Sequence, residues 1–232
     1  MRTIGLIGGM SWNSSLEYYR IINESIQEQL GGLHSAKCIL YSVDLGELGK
    51  LQREGKWEEL AGLMVEAAER LQGAGADCIV ICTNTMHKLA DDIESSINIP
   101  LLHIADATGD EIRKSGLSRV ALLGTKFTME EDFYKTRLEQ KYGVEVVIPG
   151  QKERQAIHNV IYDELCLGVI KQSSAEMVTA VIGGLVASGA EGVILGCTEL
   201  PLLIRQESVE VPVFDTTAIH AQAAVDFALR AS

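Results

Sequence analysis

The sequence predicts an α/β protein built from two pseudo-symmetric halves, each a four-stranded parallel sheet flanked by helices. The main observation is an internal repeat, because residues 75–85 (GADCIVICTNT) match residues 189–199 (GAEGVILGCTE) without a gap. In both segments an apolar run leads into short polar residues, which is typical of a buried strand that ends at a turn. The chain is also 47% hydrophobic, with 22 glycines against 4 prolines, which suits a fold with many short loops.

The repeat extends over most of the chain. Three pairs of equivalent residues are separated by nearly the same distance along the chain: Gly8 and Gly124 by 116 residues, Thr83 and Cys197 by 114, and Pro100 and Pro212 by 112. A period above about 100 residues excludes a solenoid and indicates two duplicated domains. We predict one domain from residues 1–115 with 217–232, whose last helix returns to it, and a second from residues 116–216. The cleft between the two halves is the expected active site.

The first half contains four predicted strands separated by helices. Apolar runs predict strands at 3–7, 38–43, 78–82 and 100–104, and helical patterns cover 16–30, 57–72, 83–96 and 105–114. Asn13 or Ser14 is the predicted cap of the first helix. Residues 44–54 read as a polar loop or a short helix.

The second half repeats this order. Strands are predicted at 120–125, 144–148, 192–196 and 211–215, and helices at 128–141, 151–166, 173–188 and 217–231. The apolar faces of the helices at 57–72 and 173–188 fit either the core or a homodimer interface.

The composition excludes several classes of function. The net charge of −12 argues against nucleic-acid binding, which needs a basic surface. No apolar run reaches transmembrane length, and the first residues lack a signal-peptide pattern. Five cysteines without framework spacing favour reduced thiols in the cytoplasm, and neither a CxxC pair nor a Cys/His cluster predicts a metal site. The expected partner is a small molecule, without a membrane or nucleic acid.

Chemistry is expected at the carboxyl ends of the strands, where parallel sheets bind ligands. Thr83 and Cys197 occupy equivalent strand ends, so they would lie on opposite walls of the cleft and exchange protons on the two faces of a carbon. Backbone N–H groups after Cys197 are expected to lower its thiol pKa. A lone cysteine after a strand is more commonly a core residue. Cys82 registers on Gly196, so it should point away from the cleft.

Other polar residues near these strand ends have two explanations. Asn84, Thr85, Thr125 and Thr198 either satisfy turns or contact a ligand, and the sequence favours neither. The Gly8-Gly9 turn could offer N–H groups to a carboxylate, because it lacks the order of a dinucleotide-binding motif. Glu199 could adjust the pKa of Cys197 or cap the following helix. His87 reads as a helix-face histidine, although a base behind Thr83 is the alternative.

Three motifs resemble the aspartate/glutamate racemase family: residues 7–12 (IGGMSW), 82–86 (CTNTM) and 196–200 (GCTEL). The resemblance covers the whole chain. It implies racemisation without a cofactor, neither pyridoxal phosphate nor a metal, by two acid/base groups on opposite faces of the α-carbon. Cys197 and Thr83 would be those groups. One takes the α-proton while the other donates a proton.

Two departures from the family pattern change the expectation. The usual first motif is Cys-Asn-Thr, but here it begins with Thr83, whose hydroxyl is a poor base. We therefore expect an asymmetric enzyme, with Cys197 as base for one enantiomer and a slow reverse direction. Leu48 and Leu167 stand where members acting on acidic amino acids are expected to place a cation.

The substrate is consequently aspartate or glutamate, or a small polar amino acid such as homoserine. Met10, Gln52 and Thr125 are expected to line its pocket, with Leu167 nearby. Two alternatives remain open. The first is a cysteine isomerase or decarboxylase of the same fold, of the hydantoin, maleate or arylmalonate type. The second is a non-catalytic amino-acid-binding protein.

Overall fold

The computed structural model describes residues 1–230 and contains two four-stranded parallel sheets, which confirms the predicted fold class. The first sheet has the order β2-β1-β3-β4 and the second the order β6-β5-β7-β8, so the two sheets share one topology. The strands are β1 Ile4–Gly8, β2 Cys38–Ser42, β3 Cys78–Ile81, β4 Leu101–Leu102, β5 Arg119–Gly124, β6 Glu145–Val147, β7 Gly192–Gly196 and β8 Val213–Asp215.

The α-helices connect successive strands, except that 3-10 helices join β7 to β8 and the last α-helix follows β8. They are α1 Trp12–Leu30, α2 Leu45–Arg53, α3 Trp57–Gly73, α4 Ala90–Ser96, α5 Ile104–Lys114, α6 Lys126–Glu130, α7 Asp132–Tyr142, α8 Gln151–Asp163, α9 Gln172–Ala187 and α10 Thr216–Leu229. Short 3-10 helices cover Thr85–Leu89, Leu165–Leu167, Leu200–Leu202 and Gln206–Ser208. Within residues 1–230, no helix is long and apolar enough to cross a membrane.

Several element boundaries differ from the prediction. Helix α1 begins at Trp12 because Ser11, rather than Asn13 or Ser14, is its N-cap and accepts a hydrogen bond from the Ser14 N–H. The segment at 44–54 is a helix capped by Asp44. The predicted helix at 128–141 is two helices separated at Glu131. The prediction for the last helix extended to Ala231, which lies outside the described residues.

The chain divides into two compact units. Unit 1 comprises residues 1–103 and the chain from His220 onward, and unit 2 comprises residues 104–219. The division lies at 103/104, not at the predicted 115/116, because α5 buries Ile104 and Ile112 with Val120 and Leu122 of β5. Helix α10 packs in unit 1, where Ala221, Ala224 and Val225 join the core beside β1 and β3.

Each sheet is covered by helices on both faces, as parallel sheets require. In unit 1, one apolar cluster contains residues from α3 and α4, and another contains residues from α1 and α10. In unit 2, one cluster contains residues from α8 and α9, and another contains residues from α5 and α7. The central strands β1, β3 and β7 are buried along their whole length.

The core of unit 1 includes ionisable imidazoles, which predicts a dependence of stability on pH. Burial lowers the pKa of His220 to about 4 and that of His87 well below its usual value. Below about pH 6.5 the unfolded chain takes up protons that the folded histidines do not bind, so lowering the pH favours unfolding. We expect the free energy of unfolding to fall between pH 7 and 5, by at most about 1.4 kcal/mol per pH unit for each histidine.

Urea denaturation at several pH values, with His220→Gln as the matched variant, measures this slope. Removing one titrating imidazole should flatten it. An identical slope in both proteins would contradict the assignment of His220 as a neutral buried group.

Candidate functional site

The strand end of unit 1 places Thr83 at a sharp turn. Its N–H donates to the Ile81 carbonyl at 2.8 Å, which reverses the chain immediately after β3. Thr83 is partly exposed, whereas Asn84 and Thr85 are buried. The neighbouring Cys82 is fully buried in the cluster formed with α1 and α10, and burial raises the pKa of its thiol far above the usual range. Of these two residues, Thr83 is therefore the one suited to meet a ligand.

The Gly8-Gly9 turn is required by close packing. Gly9 has a φ of +92°, and a Cβ atom there would lie 2.1 Å from the Val43 carbonyl oxygen. The Gly9 N–H donates to the Ser15 hydroxyl at 2.7 Å. This N–H group is engaged by the protein, so it is not the one that would bind a substrate carboxylate.

Helix α2 contributes a buried polar group to unit 1. Gln52 is 5% exposed, and its Nε2 has no hydrogen-bond partner among residues 1–230. Leu48, one turn earlier, packs with Met10 in the same apolar cluster. A buried amide donor without a protein partner is uncommon, so this donor is a candidate contact for a ligand. Gln52, Leu48 and Met10, which the sequence analysis singled out, thus lie in one region of unit 1.

The strand end of unit 2 delivers Cys197 at the close of a fully buried strand. Gly196 must be glycine, because a Cβ atom there would lie 2.9 Å from both Leu122 Cδ1 and the Leu123 carbonyl oxygen. Cys197 itself is 7% exposed. The tight contacts at Gly196 fix the direction in which the chain leaves the sheet.

The thiol of Cys197 is paired with a carboxylate. Its Sγ donates to Glu199 Oε2 at 3.0 Å, and the Thr198 hydroxyl donates to the same oxygen at 2.6 Å. Burial, then the charge of Glu199 and this hydrogen bond, raise the pKa of Cys197 well above its usual value. The prediction of a lowered pKa is wrong. The hydrogen bond from the Glu199 backbone N–H does lower the pKa of Cys197, but its effect is smaller than the three named effects that raise it.

Two other expectations for unit 2 are resolved by local contacts. Glu199 makes no side-chain cap to the following 3-10 helix, so its carboxylate faces the thiol and not the helix. Thr125 is the N-cap of α6 and accepts from the Thr128 N–H at 3.3 Å, which gives it a turn function.

Leu167 is 71% exposed. It follows Cys166, whose pKa is raised to about 12 by burial and by the charge of Glu199.

His103 and His220, which join His87 in unit 1, were the main omission of the sequence prediction. His87 lies in the 3-10 helix after β3 and is 2% exposed, and its Nδ1 lies 2.8 Å from the Thr83 carbonyl oxygen. His103 and His220 lie beside it in space but far from it in sequence. No local pattern indicates this cluster, because its members come from three separate elements.

Among residues 1–230, a metal centre does not compete with these strand ends, and a groove of unit 2 is lined by other residues. Within the described part of the chain, no group of three His, Cys, Asp or Glu side chains is placed to hold a metal ion. Unit 2 has an open groove of about 540 Å³ between α9 and the segment that ends at Ser208. Its lining contains none of the residues predicted for the site.

Comparison with known proteins identifies the family. The sequence model of the Asp/Glu/hydantoin racemase family matches residues 7–224. The chain belongs to this family. The match spans both units and both strand ends, and it confirms the predicted enzyme class, an amino-acid racemase.

Three relatives agree with this assignment. A crystal structure from Yersinia pestis, provisionally designated an Asp/Glu racemase, is 54% identical with a TM-score of 0.93, covering 99% of this chain and 100% of that one. An aspartate racemase homologue from Pyrococcus horikoshii OT3 is 38% identical with a TM-score of 0.87 and the same coverage. The broad specificity amino-acid racemase RacX of Bacillus subtilis (strain 168) is 26% identical over 229 residues, 96% of each chain.

The packing at Gly196 predicts a specific effect of substitution. Gly196→Ala should destabilise the protein by about 1–3 kcal/mol, because the added methyl group overlaps Leu122 and a backbone carbonyl. It should also lower kcat at least about tenfold by displacing Cys197. Urea denaturation and racemisation assays measure the two effects.

Gly183→Ala is the matched control. This helical position has no atom within 4 Å of the added Cβ, so the change should be neutral or stabilising by up to about 1 kcal/mol. Equal behaviour of the two variants would contradict the packing role of Gly196.

Proposed function

We propose that this racemase interconverts L- and D-amino acids without a cofactor, with Cys197 and Thr83 acting on opposite faces of the α-carbon. The observation that carries the proposal is the Cys197–Glu199 hydrogen bond at a strand end. The equivalent strand end of the duplicated unit carries Thr83, in a sheet of identical topology. A racemase needs one proton-transferring group for each face, and the duplication supplies two.

Cys197 and Glu199 act as one proton-accepting pair. The raised pKa of Cys197 means that the resting group is a thiol, not a thiolate. A thiol beside a carboxylate carries one negative charge in total. Accepting a proton makes this pair neutral, whereas losing one would leave two negative charges in a buried site, which is costly. The pair is therefore better suited to remove the α-proton than to supply one.

In this mechanism the α-proton moves to Cys197 Sγ as the thiol's own proton passes to Glu199. The resulting carbanion takes a proton from the Thr83 hydroxyl on its other face. Thr83 regains a proton from solvent, and Glu199 returns one to solvent, so the enzyme ends in its starting state. Thr83 serves mainly as donor or relay because its hydroxyl is a weak base.

Hydrogen bonds would stabilise the carbanion in place of a metal or pyridoxal phosphate. Asn84 and Thr85 follow the first strand end and have short polar side chains, whereas the hydroxyl of Thr198, after the second strand end, donates to Glu199. Donors aimed at a carboxylate that gains negative charge lower the barrier to proton removal. Thr125, although it caps α6, lies at the end of β5 and belongs to the same proposed set.

The region around Gln52 favours a neutral polar side chain on the substrate. Its unpartnered Nε2 can donate to a hydroxyl or a carbonyl oxygen, and Met10 and Leu48 provide apolar surroundings. Leu167 likewise carries no charge for a distal carboxylate. We therefore propose small polar amino acids such as homoserine ahead of aspartate and glutamate. The broad specificity named for the Bacillus relative is consistent with this choice.

The asymmetry between the two groups has a thermodynamic limit. Because two enantiomers have equal free energies in water, kcat/KM must be the same in both directions. The expected slow reverse direction can therefore appear only as a lower kcat with a correspondingly lower KM.

All five cysteines are unpaired, which supports a cytoplasmic location.

Cys197→Ser tests the proposal. Replacing the thiol with a hydroxyl should lower kcat by about 10²–10⁴-fold, because a general base is lost. Cys78→Ser is the matched control, since Cys78 is buried at the opposite end of its strand and should leave kcat nearly unchanged. Thr83→Cys should raise kcat for the slower direction.

The assay follows racemisation and deuterium uptake at Cα for both enantiomers of every chiral standard amino acid, without added cofactor. Deuterium uptake with inversion supports racemisation, and loss of CO₂ would indicate a decarboxylase. Undiminished racemisation by Cys197→Ser would overturn the proposal.

A further inference from the structure

Three buried imidazoles form a compact cluster behind the strand end of unit 1. The ring centroid of His87 lies 4.7 Å from that of His103 and 5.4 Å from that of His220. All three are at most 5% exposed. They come from the 3-10 helix after β3, the end of β4 and helix α10, so the cluster joins three elements of the unit.

Hydrogen bonds define how the cluster is anchored. His220 Nε2 lies 2.7 Å from the Leu102 carbonyl oxygen, which only accepts, so this nitrogen carries the proton. Because His220 is neutral at pH 7, its Nδ1 accepts from the Tyr18 hydroxyl at 2.8 Å. The Tyr18 ring packs edge-on against His220 at 5.6 Å. His220 is thus held on both ring nitrogens.

His87 connects this anchored cluster to the catalytic turn. Its Nδ1 lies 2.8 Å from the Thr83 carbonyl oxygen, an acceptor, so the neutral ring must carry its proton on Nδ1 and donate it. The Thr83 backbone N–H donates to the Ile81 carbonyl oxygen, and the His87 backbone N–H donates to the Asn84 carbonyl oxygen at 3.1 Å. The imidazole therefore closes the turn that begins at Thr83.

We infer that His87 is a positioning residue for Thr83: it clamps the Thr83 carbonyl and so fixes the direction in which the hydroxyl leaves the sheet. This inference rests on the proposed function of Thr83. His87 acts through the turn and not on the substrate. The rate of proton transfer from a weak acid such as the threonine hydroxyl depends strongly on its position, because a misplacement of about 1 Å can lower a rate by about 10²-fold.

The test compares His87→Leu, which removes the donor, with His87→Asn, whose side-chain amide can place a donor near the position of Nδ1. The assay starts in D₂O from the enantiomer whose α-proton faces Cys197. Two products are measured in the same sample: deuterated substrate with retained configuration, which needs only Cys197, and inverted product, which also needs Thr83. Their ratio does not depend on the fraction of folded protein.

We expect His87→Leu to lower the ratio of inversion to retention at least about tenfold, and His87→Asn to restore it to within about threefold of the wild type. KM should change little in either variant. An unchanged ratio in His87→Leu would overturn the inference. If Thr83→Val lowers the ratio while His87→Leu does not, only the inference fails; if Thr83→Val leaves the ratio unchanged, the proposed function fails with it.

A second measurement needs no variant and remains decisive if His87→Leu does not fold. In ¹⁵N-histidine-labelled wild-type protein, His87 should be the neutral Nδ1–H tautomer at pH 7. An Nε2–H tautomer would remove the donor to Thr83 and overturn the inference.

Discussion

The buried hydrogen bond between Cys197 and Glu199 is the contact on which the account of this enzyme depends. A thiol alone at this position would be held protonated by burial and would be a poor base. With the carboxylate oxygen 3.0 Å away, the thiol proton has a destination when the α-proton arrives. A buried cysteine, whose thiolate form is energetically costly, can in this way still act as a base. Gly196 makes the contact possible because it allows the chain to leave β7 in a direction that a larger residue would block.

The two halves share a fold but have unequal strand ends. Unit 2 presents a thiol–carboxylate pair, whereas unit 1 presents a hydroxyl on a turn closed by an imidazole. In the proposed mechanism the first stores a proton and the second passes one on. This difference divides the proposed reaction between a unit that accepts the α-proton and a unit that delivers its replacement. The His87 imidazole, whose pKa burial lowers well below its usual value, fits the second task, because an uncharged support adds no charge beside the donor.

Much of the fold was predictable from the sequence, and the site was predictable only in part. The ungapped match of 75–85 with 189–199 predicts both central strands and aligns Thr83 with Cys197. The direction of the Cys197 pKa was predicted wrongly, since it depends on burial and on the orientation of Glu199. The N-cap of α1 was missed because three serines and an asparagine stand within residues 11–15 and the sequence does not rank them. The histidine cluster could not be predicted, because His87, His103 and His220 meet only in the folded unit.

The most direct test of the central claim compares the wild type with Glu199→Gln. Cysteine ¹³Cβ shifts, assigned with Cys197→Ser, report the thiol pKa, and racemisation assays report kcat. We predict a resting thiol in the wild type. In Glu199→Gln we predict a lower thiol pKa together with a kcat about 10²-fold lower, because the proton acceptor is lost. A thiolate acting alone would become more available in that variant and would work at least as fast. A wild-type thiolate at neutral pH, or an undiminished kcat in Glu199→Gln, would contradict the account.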